Sequence, residues 1–451
     1  MFQRAHLLLL LLLILSLTTM VLFTSGSNGA HHQSNQQLST KQANDDDDDD
    51  DDNDQLFYFY FPSYGTLNSD RERANLRFYG LVYKMRNSDF LTDIITKAFL
   101  SSDEIEELRR NATTEEEKAN LERNLEPFLR WDLQSGEKVT VHIENWNLNV
   151  TMSDDTATDG RFDEFIDVNV RDVSENLLND TTTTLFYRAV LPMVDSVSNN
   201  TLGNITLANT TSFGVVSDVD DVLRIVEIWK PKTALRKTFV EPYVVVPGML
   251  QLFDIFRSNL TDVSFHYATT AVELNGPPYR DFLASTYPPG SLDMRPLDIT
   301  DPGAILNARH DQLQRLRDTY PLKMFILIGD TSNSNAVTAF SQMARDYPDS
   351  VSCVFIRNIT ATYPDYSSRI DLEEEFKDVP NRKWFVFDAP EDLYDIDFAS
   401  GSCRPPGVPE EQTTNSGGFG GTDTSGAPSI TMTSISFCAL IVPLLALASM
   451  F

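Results

Sequence analysis

Three carboxylates, Asp218, Asp220 and Asp221, follow directly on an apolar run, Phe213-Gly214-Val215-Val216. Charges at the end of a buried strand are costly unless something pairs with them. A divalent cation is one such partner, because hard cations take oxygen ligands. The plainer alternative is a strand that leaves the core as a solvated acidic turn. Asp218 and Asp220 are two apart, so in extended chain they face the same side. One could attack phosphorus while the other protonates a leaving oxygen and later activates water. Further on, Thr269 and Thr270 follow the apolar stretch ending at Ala268, Asp330 follows Ile326-Leu327-Ile328-Gly329, and Arg309 lies in a helical pattern ahead of that stretch. Two acids, a hydroxyl, a cation and a third acid are the inventory for phosphoryl transfer with a metal.

Those residues need elements that aim them at one place. From 211 to 404, apolar strand candidates (213–216, 263–268, 324–328, 351–356 and 384–387) alternate with helical patterns at 247–260, 277–285, 305–319 and 335–346. Runs buried on both faces that alternate with helices predict an α/β domain with a parallel, doubly wound sheet. Ligands of such sheets bind outside the carboxyl ends of the strands, where Asp218, Asp220, Thr269 and Asp330 fall. Residues 55–210 have a different rhythm. Strand patterns at 56–61, 77–83, 138–143, 162–170 and 185–191 predict an all-β, sandwich-like domain. The Glu-, Leu- and Arg-rich stretch 101–131 reads as an inserted helix or two. No catalytic constellation is visible in 55–210, and Tyr58, Tyr60 and Tyr64 read as core.

The flanks read as processing and anchoring signals. Arg4 precedes the apolar run Leu7–Leu15, and small residues follow at Ser25–Ser27. Residues 1–27 therefore read as a secretory signal peptide, with an uncleaved signal anchor as the alternative. Residues 28–54 form an acidic, disordered linker by composition. Of the formal net charge of −30, nine charges come from Asp45–Asp52 and Asp54. So acidic a chain is a poor nucleic-acid binder. Residues 405–430 form a polar linker with small-residue sites at Ser416-Gly417-Gly418 and Ser425-Gly426-Ala427. Residues 431–451 form an apolar tail with no basic residue after it. That pattern fits a GPI-attachment signal, with a single-pass membrane helix as the alternative. Eight Asn-x-Ser/Thr sequons (Asn111, Asn149, Asn179, Asn199, Asn204, Asn209, Asn259 and Asn358) predict N-glycans on a cell-surface glycoprotein, and three of them mark 194–211 as exposed. Cys353 and Cys403 could pair in an oxidising compartment, or Cys353 could be a free core thiol. No cysteine pair has zinc spacing.

The ordered motifs resemble those of a known family. Asp218-Val219-Asp220-Asp221-Val222 is similar to the first motif of the haloacid-dehalogenase (HAD) superfamily. More narrowly, Gly214–Leu223, Leu235–Phe239, Pro247-Gly248-Met249, Tyr267–Val272, Arg309–Pro321, Met324–Thr331 and Val354–Asn358 resemble, in order, the catalytic domain of the actin-patch-protein type of phosphatidate phosphatase. Phe61–Gly65 and Asp159–Phe162 resemble pieces of that family's amino-terminal β-domain. The resemblance implies a HAD-like Rossmannoid sheet and a Mg2+-dependent phosphatase working through an aspartyl phosphate. The substrate would be phosphatidate or a related lipid phosphate. Asp218 would be the nucleophile, Asp220 the acid/base, and Thr269 and Arg309 donors to the phosphate. Asp218, Asp220 and Asp330 would serve the metal.

Several positions depart from the family pattern. Val222 replaces Thr, Thr269 replaces Ser, Val272 replaces Pro and Arg309 replaces Lys, with Arg315 and Arg317 as alternatives for that cation. The second acid of the fourth motif falls at Asn335. The rival reading is a catalytically weak or inactive HAD-fold binding protein of the cell surface. The basic residues Lys230, Lys232, Arg236 and Lys237 face either a membrane or plain solvent.

Overall fold

The computed structural model describes residues 55–86, 100–171, 173, 184–190, 202–297 and 302–408. The expected signal peptide at 1–27, the expected acidic linker at 28–54, the sequons Asn179 and Asn199, and the expected anchor signal at 431–451 lie outside the described residues.

The N-terminal sheet has nine strands: β1 (Phe57–Tyr60), β2 (Ser63–Leu67), β3 (Arg73–Met85), β4 (Trp131–Leu133), β5 (Thr140–Ile143), β6 (Leu148–Thr151), β7 (Arg161–Asn169), β8 (Thr184–Ala189) and β9 (Gly203–Leu207). Its pairings are antiparallel except β2 with β9. The 13-residue β3 is its spine and pairs with β1, β2, β4 and β7. Period-two alternation splits the opening aromatics between two cores. Tyr58 and Tyr60 join the core of this sheet, whereas Phe59 and Phe61 enter the core of the following domain. Strand β9 corrects the expectation that all of 194–211 is exposed. Gly203-Asn204-Ile205-Thr206-Leu207 alternates inward and outward, with Ile205 and Leu207 buried, and its sequon leaves Asn204 on the outer side.

The insertion forms two helices, α1 (Ser102–Asn111) and α2 (Glu115–Arg130). Each starts with a capping box, Ser101 with Glu104 and Thr114 with Glu117, which satisfies otherwise orphaned N–H groups. Their apolar faces pack on Phe239, Val240, Val272 and Leu274 of the second domain.

The second domain is an all-parallel six-stranded sheet in the order β12-β11-β10-β13-β14-β15. Its strands are β10 (Phe213–Asp218), β11 (Ser264–Val272), β12 (Gly290–Arg295), β13 (Met324–Asp330), β14 (Val351–Arg357) and β15 (Trp384–Phe387). The connecting helices are α3 (Pro231–Phe239), α4 (Met249–Asn259), α5 (Gly276–Thr286), α6 (Pro302–Thr319) and α7 (Ser334–Asp346). Alternate strand residues serve opposite faces: Val215, Ile326 and Phe355 pack with α4 and α5, and Val216, Leu327 and Val354 with α6 and α7. From β10 the chain builds outward through β11 and β12, then returns to the other side of β10 as β13. The reversal falls between β10 and β13, so Asp218 and Asp330 end the two strands flanking the switch point.

The two sheets share buried charges as well as core. Fully buried Arg77 donates Nε–H and Nη2–H to Asp163 at 2.6 and 3.0 Å, and Nη1–H to Asp293 of β12 at 2.6 Å. Arg315 of α6 donates to the same Asp293 at 3.0 Å. A disulfide joins Cys353 in β14 to Cys403, 50 residues later, and closes the choice between a bonded and a free thiol. Among the described residues no helix is long and apolar enough to cross a membrane.

Candidate active site

The chain turns sharply after β10 because Asp221 adopts a left-handed conformation, φ 57°. Its carboxylate accepts the backbone N–H groups of Val226, Glu227 and Ile228 at 2.9, 2.8 and 2.9 Å. Three charge-assisted bonds of this kind fix the loop that follows. The third acid of the opening motif is thus accounted for by architecture.

Asp218, 1% exposed, closes β10. Its Oδ1 accepts the Val219 N–H at 3.0 Å and an Arg309 Nη2–H at 2.9 Å, and its Oδ2 accepts the Asn333 amide at 2.8 Å. Burial pushes this carboxyl up to about 6; Arg309 pulls against the rise and the Asp220 charge adds to it. Arg309 is itself buried. Its Nε and Nη1 have no hydrogen-bond partner among the described residues. Orphaned guanidinium N–H groups beside a carboxylate form a fork suited to phosphate oxygens. The alternatives for this cation point elsewhere: Arg315 to Asp293, and Arg317 to Asp318 and the Tyr347 ring.

Asp330 closes β13 and is fully buried. Ser332 donates its N–H to Oδ1 at 2.6 Å and its hydroxyl to the same oxygen. Oδ2 has no hydrogen-bond partner among the described residues. Burial and then the Asp221 and Asp218 charges hold this carboxyl well above the usual range. Two buried acids that repel one another, one with an unpartnered oxygen, fit a hard divalent cation. Magnesium commonly uses one or two carboxylates and completes its shell with water and substrate phosphate. Among the described residues no group of three or more His, Cys, Asp or Glu side chains is arranged to hold a metal. The carboxylates this corner offers to such a cation are those of Asp218 and Asp330.

Asp220 has a contrasting environment. Its Oδ1 accepts Arg224 Nε–H at 2.8 Å and its Oδ2 accepts the Thr269 hydroxyl at 2.9 Å. The Tyr279 hydroxyl lies 2.9 Å from both oxygens. The Arg224 guanidinium stacks over Tyr243 and Tyr279, 3.8 and 4.4 Å from the ring centroids. Thr269, expected to face phosphate, directs its hydroxyl to Asp220 instead. Asn335, at the position of the family's second acid, is exposed on the first turn of α7, and the side chain that reaches Asp218 is Asn333.

Sequence reasoning passed over Arg224, Tyr243, Tyr279 and Asn333. A trace of Arg224 was available: a single cation inside Val222-Leu223-Arg224-Ile225-Val226 demands a buried acid. The four basic residues placed at either a membrane or a solvated face each hold an acid: Lys230 and Lys237 pair with Glu227, Lys232 with Glu107, and Arg236 with Glu117 and Glu241.

Residues 213–358 match the family model of the phosphatidate phosphatase APP1 catalytic domain. The match runs from the start of β10 to just past β14 and takes in Asp218, Asp220, Thr269, Arg309 and Asp330. Residues 213–358 are therefore a catalytic domain of this kind, which supports a phosphatase-like activity. No curated protein matches the chain.

Proposed function

We propose that a chain carrying this catalytic domain is a Mg2+-dependent phosphatase of the HAD type, acting on phosphatidate or a related lipid phosphate through an aspartyl phosphate on Asp218. The observation that carries the reading is the corner where Asp218 faces Arg309 with two unpartnered guanidinium nitrogens, beside Asp330 with an unpartnered oxygen. The Arg309 fork would hold the phosphate oxygens and orient phosphorus for in-line attack by an Asp218 oxygen. Asn333 and the Val219 N–H fix that carboxylate in one rotamer. Asp220 would protonate the departing alkoxide and then take a proton from the water that attacks the aspartyl phosphate. Arg224, Thr269 and Tyr279 hold it in place for both steps. Magnesium, held by the Asp218 and Asp330 carboxylates with Asp220 alongside, would neutralise negative charge on the transferring group. The Asp220 side chain is already committed to three neighbours, so the two strand-end acids carry most of that binding.

The same reading places the domain in the secretory pathway and then at the cell surface, glycosylated and GPI-anchored. The Cys353–Cys403 bond supports an oxidising compartment. Asn111, Asn149, Asn209 and Asn259 are exposed, as glycan acceptors must be.

The test is phosphate release by the purified full chain from phosphatidate and from soluble phosphomonoesters, with Mg2+ and with chelator. Mg2+-dependent release that Asp218→Asn removes is the expected result. A folded wild-type protein that releases no phosphate under any of these conditions would sink the enzyme reading and leave a surface-binding role for the fold.

A further inference from the structure

Beside Asp220 the structure opens a cleft of about 120 Å³ whose walls are mostly carbon. Val226 and Ile228, Leu235 and Phe239 of α3, and Val272 at the end of β11 line it. One wall comes from outside the catalytic domain: Phe128, on the inserted helix α2. That wall is bonded in place. Asn124 of α2 donates its amide to the carbonyls of Thr238 and Phe239 at 3.3 and 3.2 Å, and Asn120 donates to the carbonyl of Val240 at 3.2 Å. Both asparagines therefore satisfy carbonyls that the end of α3 leaves free. The wall made by Val226 and Ile228 is also held, because the three backbone N–H groups bonded to Asp221 belong to Val226, Glu227 and Ile228.

We infer that this cleft is the subsite for an unbranched alkyl chain on the leaving group, and that the inserted helix pair of the N-terminal domain is a specificity element, with Phe128 its contact residue. The inference rests on the phosphatase reading. If Asp220 protonates the leaving oxygen, whatever that oxygen carries must extend from Asp220. The space on that side is this apolar cleft, and an apolar cleft next to charged reacting groups selects for carbon. The N-terminal domain is then part of the substrate site.

The experiment uses the full chain with Mg2+ and a series of alkyl phosphates from methyl to octyl, each below its micelle-forming concentration. The expected kcat/KM rises by up to about fourfold per methylene over the first members, the worth of one buried CH2, and then levels as the cleft fills. Ala234→Trp, which fills the cleft from α3, and Leu235→Gln, on the half-buried side of the same helix, should each bring the octyl-to-methyl ratio close to one. A flat wild-type series, or variants that lower every ester alike and preserve the ratio, would overturn the inference while the phosphatase reading stands. Failure to hydrolyse any of these esters or phosphatidate would overturn the phosphatase reading. Thermal shifts of the Asp218→Asn protein then judge the cleft by itself: stabilisation by octyl but not methyl phosphate supports it, and equal or absent shifts reject it.

Discussion

Two clusters of buried charge lie in the second domain and its seam, and they are built on opposite rules. At the seam, Arg77 is enclosed by Asp163 and Asp293, and Arg315 supplies a second cation to Asp293. Burial pushes the Asp163 carboxyl up, but Arg77 more than offsets it and the net shift is downward. At the rim, Asp218 is pushed up to about 6 and Asp330 well above the usual range; Arg309 is bonded to the first, whereas Arg357 acts on the second only through space. Desolvation acts on both places; only the pairing differs. The seam is complete and holds two sheets together. The rim is left short of positive charge and of hydrogen-bond partners, which is the condition for binding a cation and a phosphate.

The contrast is sharpest when one charge is removed from each cluster. Asp218→Asn should lower phosphate release by about 10⁴-fold or more, as loss of a nucleophile does. Its denaturation midpoint at pH 7.5 should be no lower than wild type: a carboxyl with a folded pKa near 6, above its unfolded value, has lost its stabilising contribution by that pH, and the amide has no charge to bury. Arg77→Leu should do the reverse. It takes the bidentate partner from Asp163 and leaves Asp293 with Arg315 alone, and should cost about 3–5 kcal/mol in denaturant unfolding, with turnover per folded molecule changed severalfold at most. If the two variants behave alike, the division between structural and functional charge is wrong.

A smaller effect tests the rim from the ligand side. Magnesium at 100 times its Kd should stabilise the folded protein by about 2.7 kcal/mol, read as a rise in Tm. Asp330→Asn should remove most of that rise and leave the Tm without magnesium at least as high. The smallest effect concerns Glu273, a third kind of buried acid. Burial raises its carboxyl to about 8, with Arg161 pulling against the shift, and it accepts the Tyr79 hydroxyl at 2.7 Å. A folded pKa raised above the unfolded value means stability that is complete below about 4.5 and lost as pH rises to about 8. Glu273→Gln does not ionise, so its Tm relative to wild type should climb by several degrees between pH 5 and pH 8.5. A constant difference across that range would show that Glu273 is ionised throughout.

What could be read from the sequence divides along the range of the interactions. The parallel strands announced themselves as apolar runs, and a strand end is a local feature, so Asp218 and Asp330 were legible as residues that must emerge at a rim. Arg309 was singled out only through the family resemblance, with Arg315 and Arg317 left open beside it. The partners of Asp220 were not. Tyr279 lies 59 residues away on an amphipathic helix, where an aromatic on the inner face reads as core. Its hydroxyl matters only because α5 packs beside β10. Asn333 and Asn335 are equivalent on paper, and only the start of α7 decides which reaches Asp218. Strand β12 and strand β9 were missed for different reasons: the first interleaves Ser291, Asp293 and Arg295 with its apolar residues and shows no apolar run, and the second carries a sequon that reads as loop. The seam was wholly hidden, since Arg77 and Asp293 are separated by 216 positions and carry no local signature as a pair.

The bond between Cys353 and Cys403 bears on how the molecule carries load. It closes a 50-residue loop containing β15, and a crosslink of that span is worth about 4 kcal/mol in the chain-entropy account. A pull on the chain beyond residue 408 reaches the sheet through this sulfur bridge and is taken up by β14, an interior strand paired on both edges. The segment from 358 to 402 is thereby bypassed: tension at the carboxyl end cannot peel away β15 strand-first. A single protease cut within that segment would likewise leave two fragments that still travel as one molecule until the bridge is reduced.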